Sequence, residues 1–279
     1  MSIRRPGLDP GYKLKKGEAM SLIYEPRGKA REYSPLALNI FSGCPHGCVY
    51  CFGPAGLKKK DYFESIQPKA NLLNLLEKEL IKSSPKNQVL LSFIGDPYNK
   101  HANGITSLVL SMLLRFKVPV AILTKAPDNA IADAELFKKF GPNLKIGSSL
   151  TFFSQVQSIK FEPFAPLPTA RMGALDLFHR KGIRTWASLE PVIDPEETLS
   201  IINFTIPFID EYKIGKINHM PELGHGVDWD AFTIEAVNKL RAAGKPFYIK
   251  HSLRSPKIES YLRPEEKDPD LHALKWKDF

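Results

Sequence analysis

The sequence predicts an α/β protein whose parallel strands curl into a full or partial (β/α) barrel. Two observations carry this. Apolar runs of strand length alternate with helical patterns along most of the chain, which implies right-handed βαβ units and a parallel sheet. The 279 residues also suit one barrel-sized domain, about 250 residues being common for that class. No internal repeat or clear linker interrupts the pattern. The expected organisation is a basic N-terminal extension over 1–33, a core over 34–250 and a C-terminal extension over 251–279.

In chain order, Leu36-Ala-Leu-Asn-Ile-Phe41 reads as a short strand running into a cysteine-containing loop. Pro68 to Lys82 follows a helical period, with Leu72, Leu73, Leu75, Leu76, Leu80 and Ile81 on a broad apolar face. Gln88 to Ile94 is a buried strand, about 104–117 a helix and Val118 to Thr124 a strand. A helix is expected over 128–140, with Asp128 as its N-cap and Gly141-Pro142 as its terminator. Leu144 to Thr151 is the next strand. Pro168 stands at a favoured first helical position, and that helix ends by Gly182. Ile183 to Leu189 is a strand, and 229–243 a helix whose Trp229, Phe232, Ala236 and Leu240 share a face. Phe247 to Ile249 is the last strand.

The only three cysteines, Cys44, Cys48 and Cys51, fall in one run, Phe41-Ser-Gly-Cys-Pro-His-Gly-Cys-Val-Tyr-Cys-Phe-Gly53. A disulfide framework wants an even number of cysteines spread along the chain. Clustered soft thiolates instead select an iron–sulfur cluster, zinc or Cu(I). An ordinary [4Fe-4S] cluster takes four thiolates, so three leave one iron open to a substrate or chelating cofactor. A structural zinc held by the three cysteines and His46 is the competing ligand set. His46 itself reads as an exposed side chain. Gly43, Gly47 and Gly53 let the loop bend. The loop leaves the first strand at its carboxyl end, where barrel active sites lie, and a structural zinc has no reason to sit there.

The spacing CxxxCxxC followed by Phe52 and Gly53 resembles the radical S-adenosylmethionine (SAM) superfamily. The resemblance implies a [4Fe-4S] cluster on the three thiolates and SAM chelated to the fourth iron. Reductive cleavage of SAM then gives a 5′-deoxyadenosyl radical that abstracts hydrogen from substrate. Gly95-Asp96-Pro97-Tyr98 stands where the superfamily carries the segment that receives the SAM amino group. Gly95 permits close backbone approach, and Asp96 is placed to hold an ammonium. An ordinary strand-ending turn is the other reading of that segment.

Together with Ile122 to Lys125, Ser148 to Thr151, residues 162–171 and Ser188 to Ile193, the chain is similar to the spore photoproduct lyase group over roughly residues 30–220. Carried over by position, Lys125 meets the SAM carboxylate, and Ser148 or Ser149 meets its ribose or amino group. Solvated or capping side chains are the plain alternative for these three. No catalytic residue is assigned.

Net charge is +9, unevenly spread. Residues 1–33 carry Arg4, Arg5, Lys13, Lys15, Lys16, Arg27, Lys29 and Arg31 against Asp9, Glu18, Glu25 and Glu32, and Lys58 to Lys60 follow the cysteine loop. A solvated lysine face is one reading; their position beside the cysteines favours attraction of DNA or RNA. No apolar run approaches the ~20 residues of a spanning helix, and the N-terminus lacks the apolar centre of a signal peptide. The expectation is a soluble cytoplasmic protein, in the host cytoplasm if phage-encoded, with no membrane partner.

The photoproduct lyase group acts on thymine-derived bases in DNA and carries an additional cysteine that returns hydrogen to the product radical. This chain has no fourth cysteine. That moves the expectation to an isomerase, similar to phage-encoded enzymes of thymidine hypermodification that shift a glycyl group from nitrogen to carbon attachment on the thymine methylene. The implied partners are DNA bearing a modified thymine base and an electron donor such as flavodoxin or ferredoxin. Photoproduct repair is the alternative within the enzyme class; a zinc- or cluster-containing nucleic-acid-binding protein is the alternative outside it. Tyr98, Phe152, Phe153 and Trp186 are either stacking partners for an extruded base or core residues, and His219 and His251 are candidates for the barrel mouth.

Overall fold

The computed structural model describes residues 21–217 and 220–279. Eight strands form one sheet in chain order: β1 (Ile23–Tyr24), β2 (Leu36–Leu38), β3 (Val89–Leu91), β4 (Val120–Thr124), β5 (Leu144–Ser149), β6 (Arg184–Val192), β7 (Glu211–Lys216) and β8 (Phe247–Ile249). Strands β2 to β8 are parallel, and β1 adds antiparallel to β2. Among the described residues the order runs from β1 to β8 without closing, so the barrel is partial.

The helices are α1 (Gly53–Leu57), α2 (Leu72–Lys82), α3 (Ile105–Arg115), α4 (Ala134–Lys138), α5 (Gln155–Phe161), α6 (Pro168–Arg180), α7 (Pro195–Thr205), α8 (Trp229–Ala242) and α9 (Pro256–Tyr261). The two-residue period of the strands divides their side chains between helix layer and interior. Outward, Val89, Leu91, Val120, Ile122, Leu144 and Ile146 join Leu110, Leu113, Phe137 and Phe178 in one apolar core. A second core joins β6, β7 and β8 to α7, α8 and α9. Inward, Ala37, Leu90 and Ala121 surround Trp186, whose indole N–H donates to the Ile122 carbonyl at 3.0 Å. Gly147 lies under that indole, where an added Cβ would fall 2.5 Å from the ring.

The expected helix over 128–140 divides. Residues Pro127–Asp133 wind as a 3-10 turn and only Ala134–Lys138 is α-helical. Asp128 caps nothing; its Oδ1 is buried without a partner among the described residues. The tighter winding places Ala130, Ala134 and Phe137 against Ala174 and Phe178 of α6, and this packing overrides the capping signal. Strands β1 and β7 and helices α1, α5, α7 and α9 were not anticipated from sequence.

The described parts of both flanking segments join the barrel. β1 extends the sheet, and residues 32–33 enter the interior, where Lys213 Nζ donates to the Glu32 and Tyr33 carbonyls at 3.1 and 3.0 Å. The C-terminal segment covers the amino ends of the strands. Its Leu274 binds Gln88, Lys277 binds Asn143, and the His272 carbonyl accepts from Lys145 Nζ at 2.7 Å.

Candidate functional site

The chain leaves β2 into the cysteine loop at the carboxyl end of the sheet, opposite the end covered by the C-terminal segment. All three cysteines are free thiols; Cys48 is buried, Cys44 and Cys51 half-buried. Backbone bonds shape the loop: Ser42 N–H to Gln67 O at 3.0 Å, Cys44 N–H to Tyr62 O at 3.1 Å and Val49 N–H to Phe161 O at 2.9 Å. The Gly53 amide points at Cys51 Sγ, 3.3 Å away. Asn39 ties the loop to the next strand exit, its Oδ1 accepting from Phe93 N–H and Ile94 N–H at 2.9 and 3.0 Å. Gly95 completes the junction. Its φ is +79°, and an added Cβ would stand 2.9 Å from the Gly43 carbonyl, so only glycine lets the two loops meet this closely.

His46 corrects the expectation of exposure: it is 4% exposed. Its Nε2 binds Asp96 Oδ2 at 2.9 Å and its Nδ1 faces the Phe164 carbonyl at 3.5 Å. Asp96 is itself buried and needs donors. It also accepts from Thr124 Oγ1 at 2.6 Å, Lys125 N–H at 2.7 Å and Tyr98 N–H at 2.8 Å. Burial pushes the Asp96 carboxyl up, but the bonds and charge of these donors, His46 foremost, outweigh it and hold the group below its ordinary range. Both ring nitrogens of His46 are thereby directed at oxygen acceptors, which withholds them from a set of three cysteines and one histidine.

Lys125 directly follows β4, and its charge is felt by Cys48 and Cys51. Its Nζ stands 3.5 Å from Glu162 Oε1 and 5.4 Å from the centre of the Tyr50 ring. Glu162, with a fully buried side chain, is already bound by Arg171, by the Tyr50 hydroxyl and by Ser158 Oγ. Burial raises the Glu162 carboxyl, yet Lys125 and Arg171 pull it down to about 2. Burial lowers Lys125, and Glu162 and the neighbouring thiols more than reverse it. Arg171 also fixes the end of β5, donating from Nη1 to the Ser149 carbonyl at 3.0 Å. The two candidate serines separate by face. Ser149 shares the interior side with Lys145 and Gly147, whereas Ser148 shares the helix side with Leu144 and Ile146, where its buried Oγ finds no partner among the described residues.

Burial pushes the Cys48 thiol up to about 12 and raises Cys44 and Cys51 as well. Ligation therefore has to bring the positive charge that deprotonates them. Among the described residues no three His, Cys, Asp or Glu side chains already stand in metal-holding geometry. The fit is one of chemistry: three soft donors on one loop, His46 engaged elsewhere, and a Gly43–Gly95 cradle that a side chain would fill. A groove of about 370 Å³ runs beside the loop between Pro45, His46, Ala126, Asn129 and the Pro163–Pro166 turn.

Across the mouth, Tyr33 donates to Glu190, shares a 2.7 Å hydrogen bond with Ser188 Oγ, and lies under Lys250 Nζ, 4.3 Å from its ring centre. Lys250 Nζ also binds Glu190 Oε2 at 2.6 Å. Below them, burial brings Lys213 down to about 7. Sequence reasoning did not single out Tyr33, Glu190, Lys250, Tyr50, Tyr62, Glu162 or Arg171 as functional. The signal available was the polar period at 188, 190 and 213 on strands that otherwise face a core. Tyr98, Phe152 and Trp186 are buried, with the Tyr98 hydroxyl on Asp133 at 2.7 Å; Phe153 is 39% exposed. His251 is exposed. His219 and the basic residues from Arg4 to Lys16 lie outside the described residues. Lys58 and Lys60 are exposed, while Lys59 binds the Ser42 and Ser65 carbonyls at 3.3 and 2.8 Å. Among the described residues no helix is long and apolar enough to cross a membrane.

No protein-family profile matches the chain. A curated relative is an uncharacterized protein of Methanocaldococcus jannaschii, 28% identical over 187 residues, which are 65% of this chain and 70% of that protein. Similar solved structures include Streptococcus suis SuiB bound to S-adenosylmethionine, with a TM-score of 0.57 at 12% identity over 76% of this chain and 46% of that one. The chain thus spans about half the length of SuiB. Spore photoproduct lyase complexed with dinucleoside spore photoproduct gives a TM-score of 0.58 at 14% identity, covering 81% of this chain and 78% of the lyase. A variant of that lyase holds both AdoMet and the dinucleoside, and gives 0.56 at 14% identity over 77% of this chain. The chain has their α/β fold.

Proposed function

We propose that this chain is a radical SAM enzyme acting on a thymine-derived base in DNA. What carries the reading is the pairing of two features at one end of a fold shared with SAM-bound proteins: three free thiols on a single loop, and Lys125 beside them with an ammonium that makes no hydrogen bond within the described residues. Glu162 faces two cations, Arg171 and Lys125, so the cluster keeps a positive charge that a carboxylate would balance. Cys44, Cys48 and Cys51 would hold a [4Fe-4S] cluster, which when bound supplies the electron that cleaves SAM.

Lys125 takes the SAM carboxylate. Ser149 and the backbone at Gly95 take its ribose and amino ends, the tight Gly43–Gly95 junction holding that backbone against the loop. Asp96 works behind them in place of the direct ammonium contact expected from sequence, fixing Thr124, His46 and the Lys125 amide. The substrate lies against Tyr33, Glu190 and Lys250 on the β6–β8 side. Extruding a base to reach it costs a few kcal/mol, on the order of one unstacking event.

Within this chemistry the reading is isomerisation of a glycyl-modified thymidine from nitrogen to carbon attachment, with flavodoxin or ferredoxin as electron donor. Its support is the cysteine count: every thiol sits in the loop, and none is left to give hydrogen to a product radical. The likeness to spore photoproduct lyase with its dinucleoside favours photoproduct repair as the second reading. Anaerobic reconstitution should give about four irons per chain and SAM cleavage after reduction; stoichiometric zinc with no cleavage would sink the enzyme. To separate the two reactions, glycyl-modified and UV-irradiated DNA are each incubated, digested and weighed. Unchanged nucleoside mass with altered glycyl connectivity supports isomerisation, and restored thymidine from irradiated DNA reverses the order.

A further inference from the structure

We infer that the outer surface shared by the cysteine loop and α5 is the docking face for an acidic one-electron carrier protein, the reductant of the group the three cysteines hold. The inference rests on the radical SAM reading and gives that same site its partner surface. The loop and the end of α5 are laced together: Val49 N–H donates to the Phe161 carbonyl at 2.9 Å, and Phe164 N–H to the His46 carbonyl at 3.1 Å. Gly47 lies against the Phe164 ring, where an added Cβ would fall 2.8 Å from Cδ2. The surface so formed is apolar. Val49, Phe52, Val156, Ile159 and Phe164 are all exposed, Val156 at 76% and Phe164 at 72%. Val156 and Ile159 stand three residues apart on α5 and so share a helix face. Large apolar side chains gathered this way, rather than scattered singly, mark an interaction surface.

Charge identifies the partner. Over residues 44–60 and 152–168 the cations Lys58, Lys60 and Lys160 are exposed, while the only carboxylate, Glu162, is buried beside Arg171. Asp61 and Glu64 follow only past the lysine run. An apolar centre with a basic rim matches a protein whose own contact surface is apolar and rimmed by carboxylates. Nucleic acid fits less well, because its outer surface is phosphate and sugar, which pair with Lys and Arg and leave Val and Ile side chains unmatched. Position identifies the role. Exposed Val49 directly follows buried Cys48, and exposed Phe52 follows half-buried Cys51, so a molecule seated here is one residue along the chain from two of the three thiols. Electron transfer weakens steeply with distance, which makes this face a short way in. The carrier is oxidised by one electron and the group on the cysteines is reduced by one; no bond or proton of this chain changes.

The test uses the anaerobically iron-loaded protein with a purified flavodoxin as the probe. Calorimetry should show binding that weakens with added salt, and Val156→Glu or Lys160→Glu should weaken it roughly 10-fold or more. Lys160→Arg keeps the charge and should bind as wild type does. Release of 5′-deoxyadenosine should fall in the two glutamate variants when reduced flavodoxin is the reductant, and match wild type when dithionite is. Either glutamate variant decides the matter if the other fails to fold. Flavodoxin binding equal in wild type and both variants, or absent from an iron-loaded wild type that cleaves SAM with dithionite, overturns the inference alone. A loss confined to DNA binding gives the face to nucleic acid and does the same. A wild type that takes up no iron, or leaves SAM intact with dithionite, overturns the inference together with the reading beneath it.

Discussion

Two lysines, one at each end of the same barrel, Lys145 buried and Lys125 half-buried, show how the fold separates a plug from a site. At the amino ends, Lys145 is 1% exposed and all three ammonium protons are engaged, by Glu211 Oε1 and Oε2 at 2.9 and 2.8 Å and by the His272 carbonyl at 2.7 Å. Arg184 and His272 complete the ring around Glu211. Burial lowers Lys145 despite its partner, and Glu211 is held far below the ordinary carboxylate range. At the carboxyl ends, Lys125 has only a 3.5 Å approach to a carboxylate that Arg171 already holds, and its charged form is favoured. The first cluster is saturated by the chain; the second is balanced only when an anion arrives.

The two ends should respond differently when a charge is removed from each. Glu211→Ala leaves Lys145 buried and unpaired, and should cost about 3–5 kcal/mol of folding free energy, measured by denaturant unfolding. Removing Lys125 should do the reverse. Lys125→Met leaves Glu162 paired with Arg171, so unfolding should shift by less than about 1 kcal/mol. SAM affinity, measured calorimetrically on the loaded protein, should fall roughly 10- to 100-fold.

Acid sharpens the same contrast. Glu162 is depressed from 4.5 to about 2, so the stability it contributes is complete above about 4.5 and is lost as pH falls toward about 2. Glu162→Gln should lower the plateau of a stability–pH curve above about 4.5 and flatten its acid limb, so that variant and wild type converge as pH falls toward about 2. The smallest effect is expected at the rim. Lys58→Ala should leave melting unchanged and lower the salt slope of DNA binding by ~1 if that lysine meets a phosphate.

What could be read from sequence follows the same division. The apolar outer faces of β3, β4 and β5, the cysteine loop and the strand at Phe247 to Ile249 were legible because helix-facing residues keep their hydrophobic period. Strand β7, Glu211-Tyr-Lys-Ile-Gly-Lys216, was not: Glu211 and Lys213 face a charged interior, and the ladder looks like a polar loop when read alone. Helix α7 carried its start signal openly, since Asp194 Oδ1 accepts from Glu196 N–H at 2.9 Å and Glu197 N–H at 3.4 Å, but without β7 it had nothing to connect. His46 on Asp96 and Tyr62 on Gly95 join loops from different strand exits, and Arg171 on Glu162 joins two successive helix termini, so these pairs depend on tertiary packing. Local pattern carries no signal for such pairs, and so a buried histidine looked exposed.

We propose that the cysteine-loop end binds SAM through the Lys125 ammonium and, once loaded with iron, cleaves it. Measuring 5′-deoxyadenosine released per chain after reduction, in wild type and Lys125→Met at equal iron content and subsaturating SAM, tests it most directly. Wild type should release it, and release should collapse in the variant. An iron-loaded wild type that releases none would overturn SAM cleavage at this loop, and a Lys125→Met variant that matches wild type would overturn the role of Lys125.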